Sequence, residues 1–156
     1  MKTISFFILS LLLQSVCAQT EHWEIKADSI ITNAKKQIGV TYKWGTSEPY
    51  VSFDCSGFAS YVYRSFDVPH SRSSKDYATL GKAVSLKECR KGDCIVFSGT
   101  TPGSKEPGHV GIVISHDKNS LKFIHCSSSK KHFGVVVTDY YNSSYPKRFL
   151  SVRRLF

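Results

Sequence analysis

An α+β domain is the fold this sequence predicts, and three observations predict it. Two stretches with helical spacing come first, at Ile25 to Ile38 and from Cys55 onward. Short β-rich runs follow and fill the rest of the chain. One of them, His109 to Ile114, is joined by the turn Asp117-Lys118-Asn119 to a returning run, Leu121 to Cys126, which is the pattern of an antiparallel hairpin. The nucleophile candidate described below lies on the second helix, so the prediction is of N-terminal helices packed on an antiparallel sheet.

In the first helix Ile30, Ile31, Ala34 and Ile38 recur on one face, and Gly39 supplies the C-terminal stop. Tyr42-Lys43-Trp44-Gly45-Thr46 reads as a turn or loop with two large aromatics. Trp44 is expected to anchor the core. Tyr42, whose hydroxyl needs a partner when buried, is expected to face a polar site. The second helix carries Phe58, Tyr61, Val62 and Phe66 on one face, with Ser52 and Asp54 as capping candidates and Asp67 and Pro69 as its stop. A polar loop from His70 to Ser74 leads to one or two helical turns over Lys75 to Leu80, ended by Gly81, and a further segment starts at Val84. Lys91-Gly92-Asp93 is a turn before the buried strand Cys94 to Phe97. Ser98 to Gly108 is a Gly/Pro/Ser/Thr loop, and Gly134 to Thr138 and Phe149 to Leu155 are later strands.

The N-terminus carries an address. Lys2 and the apolar run Ile4 to Leu13 precede Val16-Cys17-Ala18, a small-residue cleavage site, so residues 1–18 read as a signal peptide. The run is too short to span a bilayer. The expected mature chain starts at Gln19 and forms one domain, residues 19–156, exported to the periplasm or the outside. Lipidation at Cys17 ranks below simple cleavage, because Val16 rather than a small residue precedes it. The net charge of +9 is scattered, with small clusters at Lys130-Lys131 and Arg153-Arg154. No recognition helix or aromatic-plus-basic RNA motif accompanies it, which argues against nucleic acid as a partner. An anionic envelope polymer or membrane surface suits the charge and the address better. Cys55, Cys89, Cys94 and Cys126 remain after cleavage, and their spacing lacks the paired hooks of a zinc site.

Cys55 lies at the start of the second helix, where free N–H groups and the positive end of the helix dipole favour thiolate over thiol. An isolated cysteine is more often a small apolar core residue. A nucleophile needs a base, and the base needs a third group to orient it. His109 follows the Gly/Pro loop at the start of its strand. His125 lies near the end of the partner strand, so the hairpin brings the two together. His116, beside the turn at the far end, is expected in solvent.

Asp54-Cys55-Ser56-Gly57-Phe58, Gly108-His109-Val110-Gly111-Ile112 and the later His125 resemble the NlpC-type family of cell-wall cysteine peptidases. Tyr42 to Gly45, Pro69 with Arg72-Ser73-Ser74, and Gly92-Asp93 with Phe97 extend the resemblance from about Ala34 to the C-terminus. It implies a papain-like fold and hydrolysis of amide bonds in peptidoglycan stem peptides through a thioester. The bond is of the γ-D-glutamyl-diamino acid or cross-link kind. Cys55 is then the nucleophile, His109 the base and His125 the orienting residue. Tyr42 lines the site, and Asp54 and Ser56 bind substrate. No metal or other cofactor is required. The partner is peptidoglycan or a muropeptide, with no nucleic acid and no stable membrane span, and a monomer is the expected state. An N-acetylmuramoyl-L-alanine amidase or an acyl or peptidyl transferase would keep the same three residues, a non-catalytic wall-binding module would not need them, and an exported antibacterial toxin would share the chemistry. Thr46 stands where the family commonly has a second Gly. Cys126, next to His125 on a strand, is expected to point away from the site.

Overall fold

The computed structural model describes residues 22–101 and 103–156. Helix α1 spans residues 22–35 and buries Ala27, Ile30, Ile31 and Ala34. It ends three residues before Ile38, which is therefore 53 % exposed rather than part of the apolar face. Gly39 takes a φ of +88°, open to glycine and strained for other residues, and turns the chain out of the helix. A three-stranded miniature sheet follows, made of β1 (Thr41–Tyr42), β2 (Ser47–Glu48) and β3 (Ser52–Phe53) in the order β1-β3-β2. It delivers the chain to α2 (Cys55–Arg64).

The second half is an antiparallel sheet of β4 (Lys82–Val84), β5 (Cys94–Ser98), β6 (Pro107–His116), β7 (Leu121–Ser129), β8 (His132–Asp139) and β9 (Phe149–Arg154). Its order is β4-β9-β5-β6-β7-β8, so the last strand lies inside the sheet between β4 and β5. The helical stretch expected at Lys75 to Leu80 is a single 3₁₀ turn, Asp76–Ala78. Among the described residues no helix is long and apolar enough to cross a membrane. The signal peptide and Cys17 lie outside the described residues.

Strand alternation sends the two sets of side chains to two cores. Val110, Ile112, Ile124 and Cys126 pack with Phe58, Ala59 and Val62 of α2. Val113, Leu121, Phe123, Ile95 and Phe97 form the second cluster with Tyr140. Each of these fully buried aliphatic or aromatic side chains contributes about 1.5–3 kcal/mol. The β6–β7 hairpin has the expected turn: the Asp117 carboxylate accepts from the Asn119 and Ser120 N–H groups at 3.0 and 2.9 Å. The four cysteines Cys55, Cys89, Cys94 and Cys126 are free. Cys126 is buried against α2 and donates to the Phe53 carbonyl at 3.1 Å, pointing away from the cleft as its place beside His125 predicts.

Candidate active site

Asp54 ties the start of α2 to everything around it. Its Oδ1 accepts from the Gly57 N–H at 2.6 Å, the N-cap bond, and its Oδ2 accepts from the Gly45 N–H at 2.9 Å. Arg72 grips both oxygens, at 3.0 and 3.1 Å, and Ser56 Oγ lies 3.1 Å from Oδ1. Burial works against the charge on Asp54, but the bonds from Arg72 and Gly57 outweigh it and hold the carboxyl below its ordinary range. Asp54 and Ser56 are both buried, and neither lines the cleft. In this geometry they brace the loop and the helix start.

Cys55 does line the cleft. It shares a volume of about 1090 Å³ with Tyr42, His109 and His125, so four of the six residues singled out by sequence share one cavity. The sulfur lies against the backbone on either side of His109. Its S–H points at the Gly108 carbonyl, 4.0 Å away, and the Val110 N–H faces it. The N–H groups of Cys55 and Ser56 also favour the thiolate. They do not set the balance. Burial, followed by the charge of Asp54, pushes the Cys55 thiol up to about 11. The thiolate expected from the helix start is therefore not the resting form, because desolvation exceeds what the helix end supplies.

His109 Nε2 and His125 Nδ1 are 2.8 Å apart, and His125 Nε2 is 2.9 Å from Thr138 Oγ1. The rings meet edge to face, with an interplanar angle of 89°. If His109 is to accept a proton at Nδ1, its Nε2–H must donate to His125. The Nε2–H of His125 then donates to Thr138, and both tautomers are fixed. Burial, then the charge of Arg148, pulls His109 down to about 3. Burial, His109, Arg148 and His132 lower His125 well below the ordinary histidine range. Neutral thiol and neutral imidazole are thus the resting pair. His116 is partly exposed, and its Nδ1 bonds the Cys89 carbonyl at 2.9 Å, far from the cleft.

Gly111 explains how His125 comes so close. A Cβ on Gly111 would lie 2.7 Å from the Phe123 ring and 3.3 Å from His125 Cβ. Without that side chain His125 leans over β6 toward His109.

Sequence reading missed Thr138, Tyr145 and Arg148. Thr138 lies two residues beyond Val136, the β8 partner of His125, so counting register back from the Lys130-Lys131 turn would have placed it on the face of His125. Tyr145 comes from a 3₁₀ turn, Tyr145–Arg148, that has no sequence period. Its hydroxyl is 3.4 Å from His109 Nε2 and 3.5 Å from His125 Nδ1, and its ring stacks on His109 with centroids 5.6 Å apart. Trp44, expected in the core, is 83 % exposed and stands at the cleft. It sits in the turn at Gly45, whose main-chain N–H donates to the Asp54 carboxylate, leaving the indole outside.

Two expected outcomes follow from the histidine chain. Thr138→Val keeps shape but leaves the His125 N–H unpaired, at a cost of about 1–3 kcal/mol. Turnover should fall about tenfold or more, and Thr138→Ser should retain it; steady-state kinetics on the two variants checks this. Acid should also destabilise the fold early. The unfolded chain protonates both histidines below about 6.5, while the folded chain refuses those protons until far lower pH, so stability falls as pH falls through this window. Two such protons give a slope of up to about 2.7 kcal/mol per pH unit. Urea unfolding between pH 7 and pH 4.5 should show that slope flattened in His109→Gln/His125→Gln.

The site is thus a helix-start cysteine that shares one cleft with a bonded histidine pair in an α+β domain. The chain belongs to the NlpC/P60 family, whose model matches residues 39–154. It is 30 % identical over 142 residues to a gamma-DL-glutamyl hydrolase of Bacillus subtilis, which covers 88 % of this chain and 32 % of that protein. It is 32 % identical over 118 residues to the murein DD-endopeptidase MepS/murein LD-carboxypeptidase of Escherichia coli K12, covering 75 % and 56 %. The chain therefore spans about a third of the first relative's length and just over half of the second's. Among solved structures, an NlpC/P60 family protein from Bacillus cereus aligns with a TM-score of 0.72 at 26 % identity, over 83 % of this chain and 40 % of the other. The NlpC/p60 domain of the peptidoglycan hydrolase SagA aligns at 0.63 and 25 % identity, over 83 % and 98 %.

Proposed function

We propose that this chain is a cysteine endopeptidase that hydrolyses amide bonds in peptidoglycan stem peptides, of the γ-D-glutamyl-diamino acid or cross-link kind. The observation that carries the reading is the shared cleft of Cys55 and the bonded His109–His125 pair. The names of the relatives, a gamma-DL-glutamyl hydrolase and a murein endopeptidase, supply the substrate class.

Because both partners rest neutral, the thiol proton moves to His109 Nδ1 as the sulfur attacks the scissile carbonyl. The Cys55 N–H, at the helix start, is in place to donate to the oxyanion. His125 holds the imidazolium through its Nδ1 and is held in turn by Thr138. The imidazolium gives its proton to the leaving amine, and the thioester is then hydrolysed by water activated at His109. Burial pushes the Tyr42 hydroxyl up to about 12, so it stays protonated and serves as a donor to substrate. Asp54 and Ser56 act on substrate through the loop they hold, by setting the positions of Gly45 and Arg72. Residues 1–18 act as an export signal, the remaining chain is one domain, and it works as a monomer in the periplasm or outside the cell.

Purified peptidoglycan digested with the wild-type protein and read by mass spectrometry tests the reading. Shortened stems or opened cross-links are expected. Intact stem peptides released whole from the glycan would mark an amidase instead.

A further inference from the structure

Arg148 is a charge that the mechanism above does not use. It lines the cleft and is half-buried beside the catalytic pair. Its Nε donates to the Ser98 carbonyl at 3.1 Å, one Nη2 hydrogen goes to the same oxygen, and its guanidinium lies 5.4 Å from the centre of the Tyr145 ring. Two of its five hydrogens go to Ser98 and the Tyr145 hydroxyl accepts another, which leaves two for a further acceptor. Lys131 also lines the cleft, but it is exposed on the turn between β7 and β8. Arg72, Arg153 and Arg154 lie outside the cleft and are engaged. Arg72 is paired with Asp54, and Arg154 with Asp93. Arg153 clamps three carbonyls, those of Thr79, Leu80 and Gly81, outside the cleft. Among the described residues no carboxylate lies within ion-pair distance of Arg148. Asp139 lines the same cleft, but its Oδ1 accepts from the Asn142 N–H at 3.1 Å instead.

An unpaired guanidinium is badly placed beside a base that must become positive. When the Cys55 proton moves to His109, two cations face each other in a cleft where burial weakens screening. The arrangement favours turnover only when an anion stands at Arg148 as the imidazolium forms. We propose that Arg148 is a carboxylate-binding site in the cleft, and that it holds an acidic group of the substrate while Cys55 attacks. The inference rests on the peptidase reading for the source of the carboxylate, which γ-linked D-glutamate and diamino acids both carry, but not for the site itself. Binding at this point lowers the barrier as well as the Michaelis constant, because the anion interacts most strongly with the transition state.

Alkylation of Cys55 tests the site without any peptide being cut. Rates with iodoacetate and iodoacetamide are measured by peptide mapping, each normalised to a free thiol. The wild-type protein is expected to show a higher iodoacetate-to-iodoacetamide ratio than Arg148→Gln, by several-fold, and Arg148→Lys is expected to keep most of it. A ratio unchanged in Arg148→Gln, with the protein folded by circular dichroism, would overturn the proposal. If Arg148→Gln does not fold, Arg148→Lys and iodoacetate protection by added acetate in the wild-type protein decide. Loss of that protection in Arg148→Lys or its absence in the wild type overturns the site.

A second arm locates the carboxylate. L-alanyl-γ-D-glutamyl-diaminopimelate is compared with forms amidated at one carboxyl at a time. The wild-type kcat/KM is expected to drop about 10–100-fold for one amidated form, the range for a hydrogen bond to a charged group. Arg148→Gln should match that drop on the acid and change little on that amide. Equal losses on every form contradict the proposal. A ratio that falls as expected while no peptide is cut leaves the anion site standing and removes the peptidase reading.

Discussion

Cys55→Ala is expected to lose peptidoglycan hydrolysis by at least about 10⁴-fold, the scale on which removing a nucleophile acts in a unit of interdependent catalytic groups. Fold and stability should change little, because the substitution removes one sulfur from a site that is not close-packed on its cleft side. The far-UV spectrum should stay native. The other three cysteines give the contrast. Cys89, Cys94 and Cys126 are buried in the two cores, away from the cleft, so their replacement by Ala or Ser should affect stability before activity. Hydrolysis surviving in purified Cys55→Ala would end the mechanism.

The second large effect separates the two histidines. His109→Ala should lose nearly all turnover, since in the proposed mechanism it both takes and returns the proton; general acid–base groups are worth about 10²–10⁴-fold. His125 must accept from His109 and donate to Thr138. A carboxamide does both, so His125→Gln or His125→Asn should recover much of what His125→Ala loses, with each tenfold worth about 1.4 kcal/mol. A carboxylate accepts but cannot donate to Thr138, and it brings a buried charge, so His125→Asp should recover less. Values of kcat/KM on one stem peptide across pH give the ordering. His109→Gln retaining activity, or His125→Gln as inactive as His109→Ala, would reverse the roles.

The parts of the site set by local rules were legible in the sequence. Asp54 caps a helix that starts at Cys55, and the period of Phe58, Tyr61 and Val62 gives its buried face. The hairpin through Asp117 puts His109 and His125 on neighbouring strands, although β7 runs on to Ser129 and His125 lies at its middle rather than near its end. What was not legible depends on the sum of environments. The helix start favours thiolate, but the burial that opposes it comes from strands far along the chain, and burial wins. Trp44 reads as core because of its size, yet the turn at Gly45 is fixed by a main-chain bond to Asp54 and leaves the indole outside. Thr138 was within reach of a register count. Tyr145 and Arg148 were not, since a single 3₁₀ turn carries no period and only the folded chain brings it over the histidine pair.

The most direct test of a Cys55 acyl-enzyme is a partition experiment. A stem peptide is digested in increasing hydroxylamine, and both product halves are quantified by mass spectrometry. A thioester on Cys55 predicts that the acyl half appears as its hydroxamate in a proportion rising with hydroxylamine, while release of the amine half is not slowed and Cys55→Ala forms neither. An acyl half that stays entirely as the free carboxylate at every concentration, with hydrolysis continuing, would contradict it.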